Sequence, residues 1–95
     1  MLVHLRLNVP TDLTDAVRDT LSDDARLTNL THLRGASLKP VGDVFEADVA
    51  REAATAVLDD LNAVGLGHRG GIVIDQPLGT PFDAAHDVEE AAHGD

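Results

Sequence analysis

The side chains with the best potential for binding chemistry alternate with apolar residues in two short segments of the chain. They are His4 and Arg6 in the first segment, and Glu46 and Asp48 in the second. Alternation with a period of two is typical of a strand with one buried face, so each pair lies on the polar face of its strand. If the strands are neighbours, we expect Arg6 to form a cross-strand ion pair with Glu46 or Asp48. The shared surface is either a binding site for a ligand or another copy of the chain, or a solvated sheet face with balanced charges.

A second group of candidates lies near the C-terminus, where His86 and His93 are seven residues apart. On a helix this spacing puts both imidazoles on one face, where Asp83, Asp87 or Glu90 could help them chelate a metal ion weakly. The alternative is a solvated acidic tail, because such clusters arise readily from composition alone. No histidine occurs in a spacing such as H-E-x-x-H, so we predict no metal site and no cofactor.

The sequence contains no arrangement typical of an enzyme. Cysteine is absent, which excludes thiol catalysis, disulfide bonds and cysteine-type zinc sites. Ser22 and Ser37 do not occur in a G-x-S-x-G turn. The glycine-rich segment 65–71 follows a helix pattern and precedes a strand pattern, which is the reverse of the order in phosphate-binding loops. We therefore predict that the protein is not an enzyme.

Composition restricts the partners of the chain. Its 95 residues are enough for one domain, and with two Phe, no Tyr and no Trp the core must be aliphatic. The formal net charge of −10 predicts that neither nucleic acid nor an anionic membrane surface is a partner, because both require a cationic face. The chain begins with no signal-peptide pattern and contains no apolar run long enough to span a bilayer, so we expect a cytoplasmic location.

Hydrophobic periodicity predicts four strands and three helices. The strands are 2–9, 26–33, 44–49 and 72–75, and the helices are 11–21, 50–64 and 83–92. We expect 34–42 and 68–71 to be connections, because both are rich in turn residues. The order β-α-β-β-α-β predicts an α+β ferredoxin-like sandwich, with a four-stranded antiparallel sheet, its first and third strands central, and two helices on one face. Residues 1–77 would form this domain, and residues 78–95 an acidic, alanine-rich tail.

Several segments resemble the N-terminal soluble part of the domain-of-unknown-function 389 family, a group of uncharacterised hydrophobic membrane proteins from prokaryotes. The segments are Thr28–Leu30, Gly35–Ala36, Pro40–Asp43 and Asp48–Ala54. The resemblance implies a domain on the cytoplasmic side, with 83–94 as a connector toward a membrane region, in either an excised domain or a stand-alone relative. The family has no established active site, so it assigns no site residues. The predicted fold is also similar to that of ligand-sensing ACT domains.

Three functions follow as hypotheses. The first is a non-enzymatic regulatory or assembly domain of a prokaryotic membrane protein, acting as a homo-oligomer. The second is a sensor of a small molecule or cation, of the ACT type, with its site at the polar sheet face or at a dimer seam. The third is a small enzyme of the dimeric α+β barrel kind, which requires a cavity containing a buried histidine or carboxylate.

Overall fold

The computed structural model describes residues 1–93, and its elements follow the predicted order with one additional short helix. The strands are β1 (Leu2–Pro10), β2 (Leu27–Leu38), β3 (Val41–Ala50) and β4 (Gly71–Asp75), and the helices are α1 (Thr14–Ser22), α2 (Ala54–Ala63), α3 (Leu66–Arg69) and α4 (Asp83–His93). Short 3₁₀ turns precede α1 and α2. The end of the predicted connector, Gly94, lies outside the described residues, as does Asp95.

The four strands form one antiparallel sheet in the order β2-β3-β1-β4. Strands β1 and β3 are central, and β1 pairs with β3 over its full length without a register shift, from Leu2 with Ala50 to Pro10 with Gly42. The predicted α+β fold is confirmed, with the strand order of a ferredoxin-like sandwich.

The core lies between one face of the sheet and helices α1 and α2. Leu5 and Leu7 of β1 and Phe45 of β3 are buried against Val17 of α1 and Leu61 of α2. These strand residues have the odd positions that the alternation assigned to the inner face, so the predicted inner face is confirmed. Because the central strands are anchored by this core, the even-numbered positions of both strands are fixed on the opposite, outer face.

Strand β2 is longer than predicted, and the prediction that 34–42 is a connection was wrong. The strand continues to Leu38 and turns directly into β3 at Val41. Its pairing register shifts twice, and Asn29 and Gly35 have positive φ angles of 53° and 67°. An extra residue at a bulge interrupts the period of two, so a bulged strand resembles a turn in the sequence.

The glycine-rich segment after α2 also differs from the prediction of a loop. Gly65 adopts a left-handed conformation with φ of 95°, which ends the helix, as glycine commonly does. The chain then forms the one-turn helix α3, whose Leu66 is fully buried in the main core.

Helix α4 covers one end of the outer face of the sheet. Its Ala85 and Val88 are buried against Leu2, Ala50 and Ala53, in a small cluster separate from the main core. The residues predicted to form a tail therefore contact the domain of residues 1–77 directly. Within residues 1–93, no helix is both long and apolar enough to cross a membrane.

Candidate functional site

The candidate surface lies on the outer face of the two central strands. In the register of β1 and β3, His4 is directly opposite Asp48, and Arg6 is directly opposite Glu46. Three of the four predicted side chains, His4, Glu46 and Asp48, come into direct contact. Asn29 joins them from β2, where its left-handed backbone conformation interrupts the strand.

These four residues, His4, Asn29, Glu46 and Asp48, are called the histidine cluster below. The imidazole of His4 is held between two carboxylates, with Nδ1 2.7 Å from Asp48 Oδ1 and Nε2 2.9 Å from Glu46 Oε1. The Asn29 amide donates a hydrogen bond of 2.8 Å to the second oxygen of Asp48. The cluster thereby ties together three neighbouring strands, β1, β2 and β3, through side chains alone.

The carboxylates favour the protonated form of His4. Hydrogen bonds to Asp48 and, secondly, to Glu46 raise the pKa of His4 above its ordinary value of 6.5. An imidazolium can donate from both nitrogens at once, which matches its two acceptors. In that form His4 has no lone pair for a metal ion or a substrate proton. In that form the cluster is a cross-strand ion-pair network.

We predict that His4 makes the stability of the domain depend on pH. Because the pKa is higher in the folded state, the contribution of His4 is fully present below about pH 6.5 and is lost as the pH rises through the raised value. Since the cluster is partly exposed, the contribution is expected to be about 1 kcal/mol or less. Urea unfolding between about pH 5.5 and 8.5 should show this loss in the wild-type chain and not in His4→Gln.

His86→Gln is the control for this experiment, since His86 lies exposed on α4. Its pH profile should run parallel to that of the wild-type chain. Parallel profiles for the wild-type chain and His4→Gln would contradict the assignment of the ion-pair network to His4.

The other predicted candidates do not join the histidine cluster. Arg6 is exposed, and within residues 1–93 the ion pairs of Glu46 and Asp48 are with His4 and not with Arg6. His86 lies 3.6 Å from Glu90 in an exposed pair on α4, and His93 is exposed at the end of the same helix. In the part of the chain that the structure describes, no three histidine or acidic side chains are arranged to hold a metal ion.

A second polar group, which sequence reasoning missed, lies at the base of the β2–β3 hairpin. Asp43 is buried and accepts hydrogen bonds from the Gly35 N–H at 2.7 Å and from the Thr14 hydroxyl at 3.2 Å. Its Oδ2 also lies 2.7 Å from Nε2 of His32, whose ring stacks on Phe45. We call Thr14, His32, Gly35 and Asp43 the hairpin network.

The hairpin network keeps Asp43 ionised. The Gly35 N–H and, secondly, His32 lower the pKa of Asp43 below its ordinary value of 3.8. A carboxylate can only accept, so Nε2 is the protonated nitrogen of His32 in this contact. Each oxygen of Asp43 thus holds a different part of the fold. Oδ1 fixes the bulge of β2, and Oδ2 joins the hairpin to α1.

Comparison with known proteins adds no relative to this description. No protein-family model matches the chain, and no curated protein matches it either. The resemblance to the domain-of-unknown-function 389 family therefore stays a prediction, and the function must be argued from the surfaces of the molecule.

Proposed function

We propose that this chain is a non-enzymatic assembly domain in which two copies pair along the edges of their β4 strands. The observation that carries this proposal is the exposed apolar edge of β4. Strand β1 lies on one side of β4, and within residues 1–93 no strand lies on the other. An unpaired edge presents backbone N–H and C=O groups that can pair with another strand.

The side chains of β4 favour such pairing. The strand reads Gly-Ile-Val-Ile-Asp, so its centre consists of three β-branched apolar residues. Val73 is 36% exposed and Ile74 is 46% exposed, although both belong to a sheet. Proteins usually protect an edge strand with charged residues, proline or a bulge, and Ile72 to Ile74 contains none of these.

The opposite edge of the sheet is protected in this way. Strand β2 has two register shifts, near Asn29 and near Gly35, and both residues have positive φ angles. Bulges twist an edge strand and leave residues unpaired, which hinders pairing with a second chain. The contrast between the two edges supports β4 as the surface of assembly.

One antiparallel register of two β4 strands places compatible residues opposite each other at every position. With a two-fold axis through Val73, each Val73 faces its own copy, Ile72 faces Ile74 of the second copy, and Gly71 faces Asp75. Apolar residues then pair across both faces of the joined sheet, and no two carboxylates are opposite each other. The result is a continuous sheet of eight strands.

The net charge of −10 on each copy opposes association, so the dimer is expected to be weak at low salt. Salt screens this repulsion, since the Debye length falls from roughly 30 Å at 0.01 M to about 8 Å at 0.15 M. The dissociation constant should therefore decrease as salt is added.

We extend the proposal, on the resemblance described above, to the cytoplasmic assembly or regulatory domain of a prokaryotic membrane protein.

Sedimentation velocity over a concentration series tests this proposal. Val73→Asp would place two carboxylates opposite each other on the two-fold axis, and should raise the dissociation constant at least about tenfold. We expect the monomer to tolerate this change, because residue 73 pairs with Arg6 of β1 in the sheet. Leu33→Asp, on the protected edge, is the matched control and should leave association unchanged.

Two results would overturn the proposal. The first is a wild-type chain that stays monomeric at millimolar concentration in 0.5 M salt. The second is an equal effect of Val73→Asp and Leu33→Asp on association, because the contact would then not be specific to β4.

The contacts within the structure support the sensor and enzyme hypotheses less well than the assembly hypothesis. In the histidine cluster the carboxylates that a cation or ligand would use already accept hydrogen bonds from His4 and Asn29. A shallow groove of about 400 Å³ beside Asp24 and Ala91 contains a carboxylate that already forms a two-point ion pair with Arg26. Neither place combines an enclosed cavity with an available acid or base.

A further inference from the structure

The tip of the β2–β3 hairpin differs in charge from the rest of the chain. The stretch from Ala25 to Gly42 contains no Asp or Glu, although the whole chain has 17 acidic residues. Lys39, the only lysine of the protein, is exposed at the tip, and Arg34 is exposed behind it, where the register of β2 shifts. The acidic residues that adjoin the tip are already paired, Asp43 with the Gly35 N–H and Asp12 with Arg69. The tip is therefore a local cationic surface, and it is an exception to the exclusion of anionic membranes that the net charge predicts.

The same tip presents apolar side chains to solvent. Leu38 and Val41 face each other across the hairpin, and they are 86% and 75% exposed. They flank Lys39 and Pro40 directly. These two adjacent side chains form a small exposed apolar patch, and contiguous exposed patches are a feature of interaction sites.

Buried polar contacts hold this tip in a defined shape. Ser37 is buried, accepts a hydrogen bond of 3.0 Å from the Asn8 amide and donates one of 2.6 Å to the Pro40 carbonyl. The Asp43 carboxylate of the hairpin network, on β3, accepts a hydrogen bond from the Gly35 N–H of β2. Leu38 and Val41 are thus part of a hairpin with a defined structure, and not of an irregular loop.

The acidic groups of α4 lie at the opposite end of the sheet. Helix α4 packs on Ala50 and Ala53, whereas the tip begins at Val41. The ten residues of β3 that separate these ends span about 30 Å. This distance exceeds three Debye lengths at physiological salt, so the charge of α4 is largely screened at the tip.

We infer that the hairpin tip, Leu38 to Val41, binds the surface of an anionic phospholipid bilayer. Its apolar pair would enter the boundary between headgroups and acyl chains, while Lys39 and Arg34 would contact the lipid phosphates. A symmetrical contact between two tips is disfavoured, because it would bring two copies of Lys39 together. This surface is separate from the β4 edge, and the inference does not depend on assembly.

Vesicle flotation tests the inference with the full chain. The probes are vesicles of phosphatidylcholine with about 30% phosphatidylglycerol, and vesicles of phosphatidylcholine alone, in about 0.1 M salt. The wild-type chain should bind the anionic vesicles and not the neutral ones. Leu38→Asp should lower the bound fraction at least about tenfold, and Lys39→Glu about fivefold or more.

Leu78→Asp is the matched control, because Leu78 is fully exposed but follows the end of β4 that lies away from the tip. It should bind as the wild-type chain does. Thermal unfolding by circular dichroism checks that all three variants fold.

Three results would overturn the inference. One is the absence of wild-type binding to the anionic vesicles, and another is an equal loss of binding in Leu38→Asp and Leu78→Asp. The third is a Leu38→Asp variant that binds vesicles normally but associates more weakly in sedimentation, since the tip would then be a protein contact.

Discussion

Replacing Asp43 with alanine is expected to lower the free energy of unfolding by about 3 kcal/mol, a large share of the total for a domain of this size. The side chain is buried and holds the Gly35 N–H, the Thr14 hydroxyl and Nε2 of His32. Alanine would leave all three groups without their acceptor in a place that water reaches poorly. Urea unfolding at neutral pH measures the loss.

Asp43→Asn separates charge from hydrogen bonding in this network. The asparagine carbonyl can still accept from Gly35, so the variant should lose less stability than Asp43→Ala. Because the folded pKa of Asp43 is depressed, its ionic contribution is present above about pH 3.8 and is lost as the pH falls through the lowered value. The free energy of unfolding of Asp43→Asn should lack this dependence on pH in the acid range.

Asp19→Ala is the control for both variants, because Asp19 lies exposed on α1. It should change the free energy of unfolding by less than about 0.5 kcal/mol. A loss in Asp43→Ala no larger than that in Asp19→Ala would contradict the structural role given to the hairpin network.

Gly42→Ala is expected to destabilise the domain by a similar amount, about 3 kcal/mol or more, for a different reason. A Cβ atom at Gly42 would lie 1.9 Å from the Val9 carbonyl oxygen and 2.9 Å from the Thr11 nitrogen. Both are backbone atoms, so no side chain can move to relieve the clash. The central strands β1 and β3 would have to separate at the base of the hairpin.

Gly79→Ala is the matched control for this substitution, since a Cβ atom there meets open space. Its thermal unfolding midpoint should stay within a few degrees of the wild-type value. If Gly42→Ala unfolded at the same temperature as Gly79→Ala, the close approach of β1 and β3 at this point would be wrong.

The regular central strands explain why much of the fold was predictable. Strands β1 and β3 alternate without interruption, so their inner and outer faces could be read from the sequence, and the meeting of His4 with Glu46 and Asp48 followed from their pairing. The predicted partner of these carboxylates was wrong. We expected Arg6, but the imidazole of His4 reaches both, and such choices depend on side-chain geometry that spacing does not contain.

The hairpin network was not predictable for a related reason. His32 pairs with Phe45 and so lies diagonally across from Asp43, whereas the Gly35 N–H reaches Asp43 where the register of β2 shifts and Gly35 has a left-handed conformation. A pattern with a period of two cannot locate such a residue, and it made the segment resemble a connection.

The packing of α4 did leave a signal in the sequence. Leu2 and Ala50 are apolar residues at outer-face positions, and they pair with each other in the sheet. Two apolar residues opposite each other at one end of this face indicate that another element covers that end. Helix α4 provides the cover through Ala85 and Val88.

Disulfide crosslinking at Val73 tests the central claim, pairing of two β4 edges, most directly. The chain has no cysteine, so Val73→Cys introduces a single thiol. Across an antiparallel pair the opposed Cα atoms are about 4.5 to 5.5 Å apart, which lies within the range of disulfide bonds. Leu33→Cys, at a residue of comparable exposure on the other edge, is the control. The account predicts rapid formation of a covalent dimer by Val73→Cys and slow formation by Leu33→Cys, whereas equal rates for the two variants would contradict it.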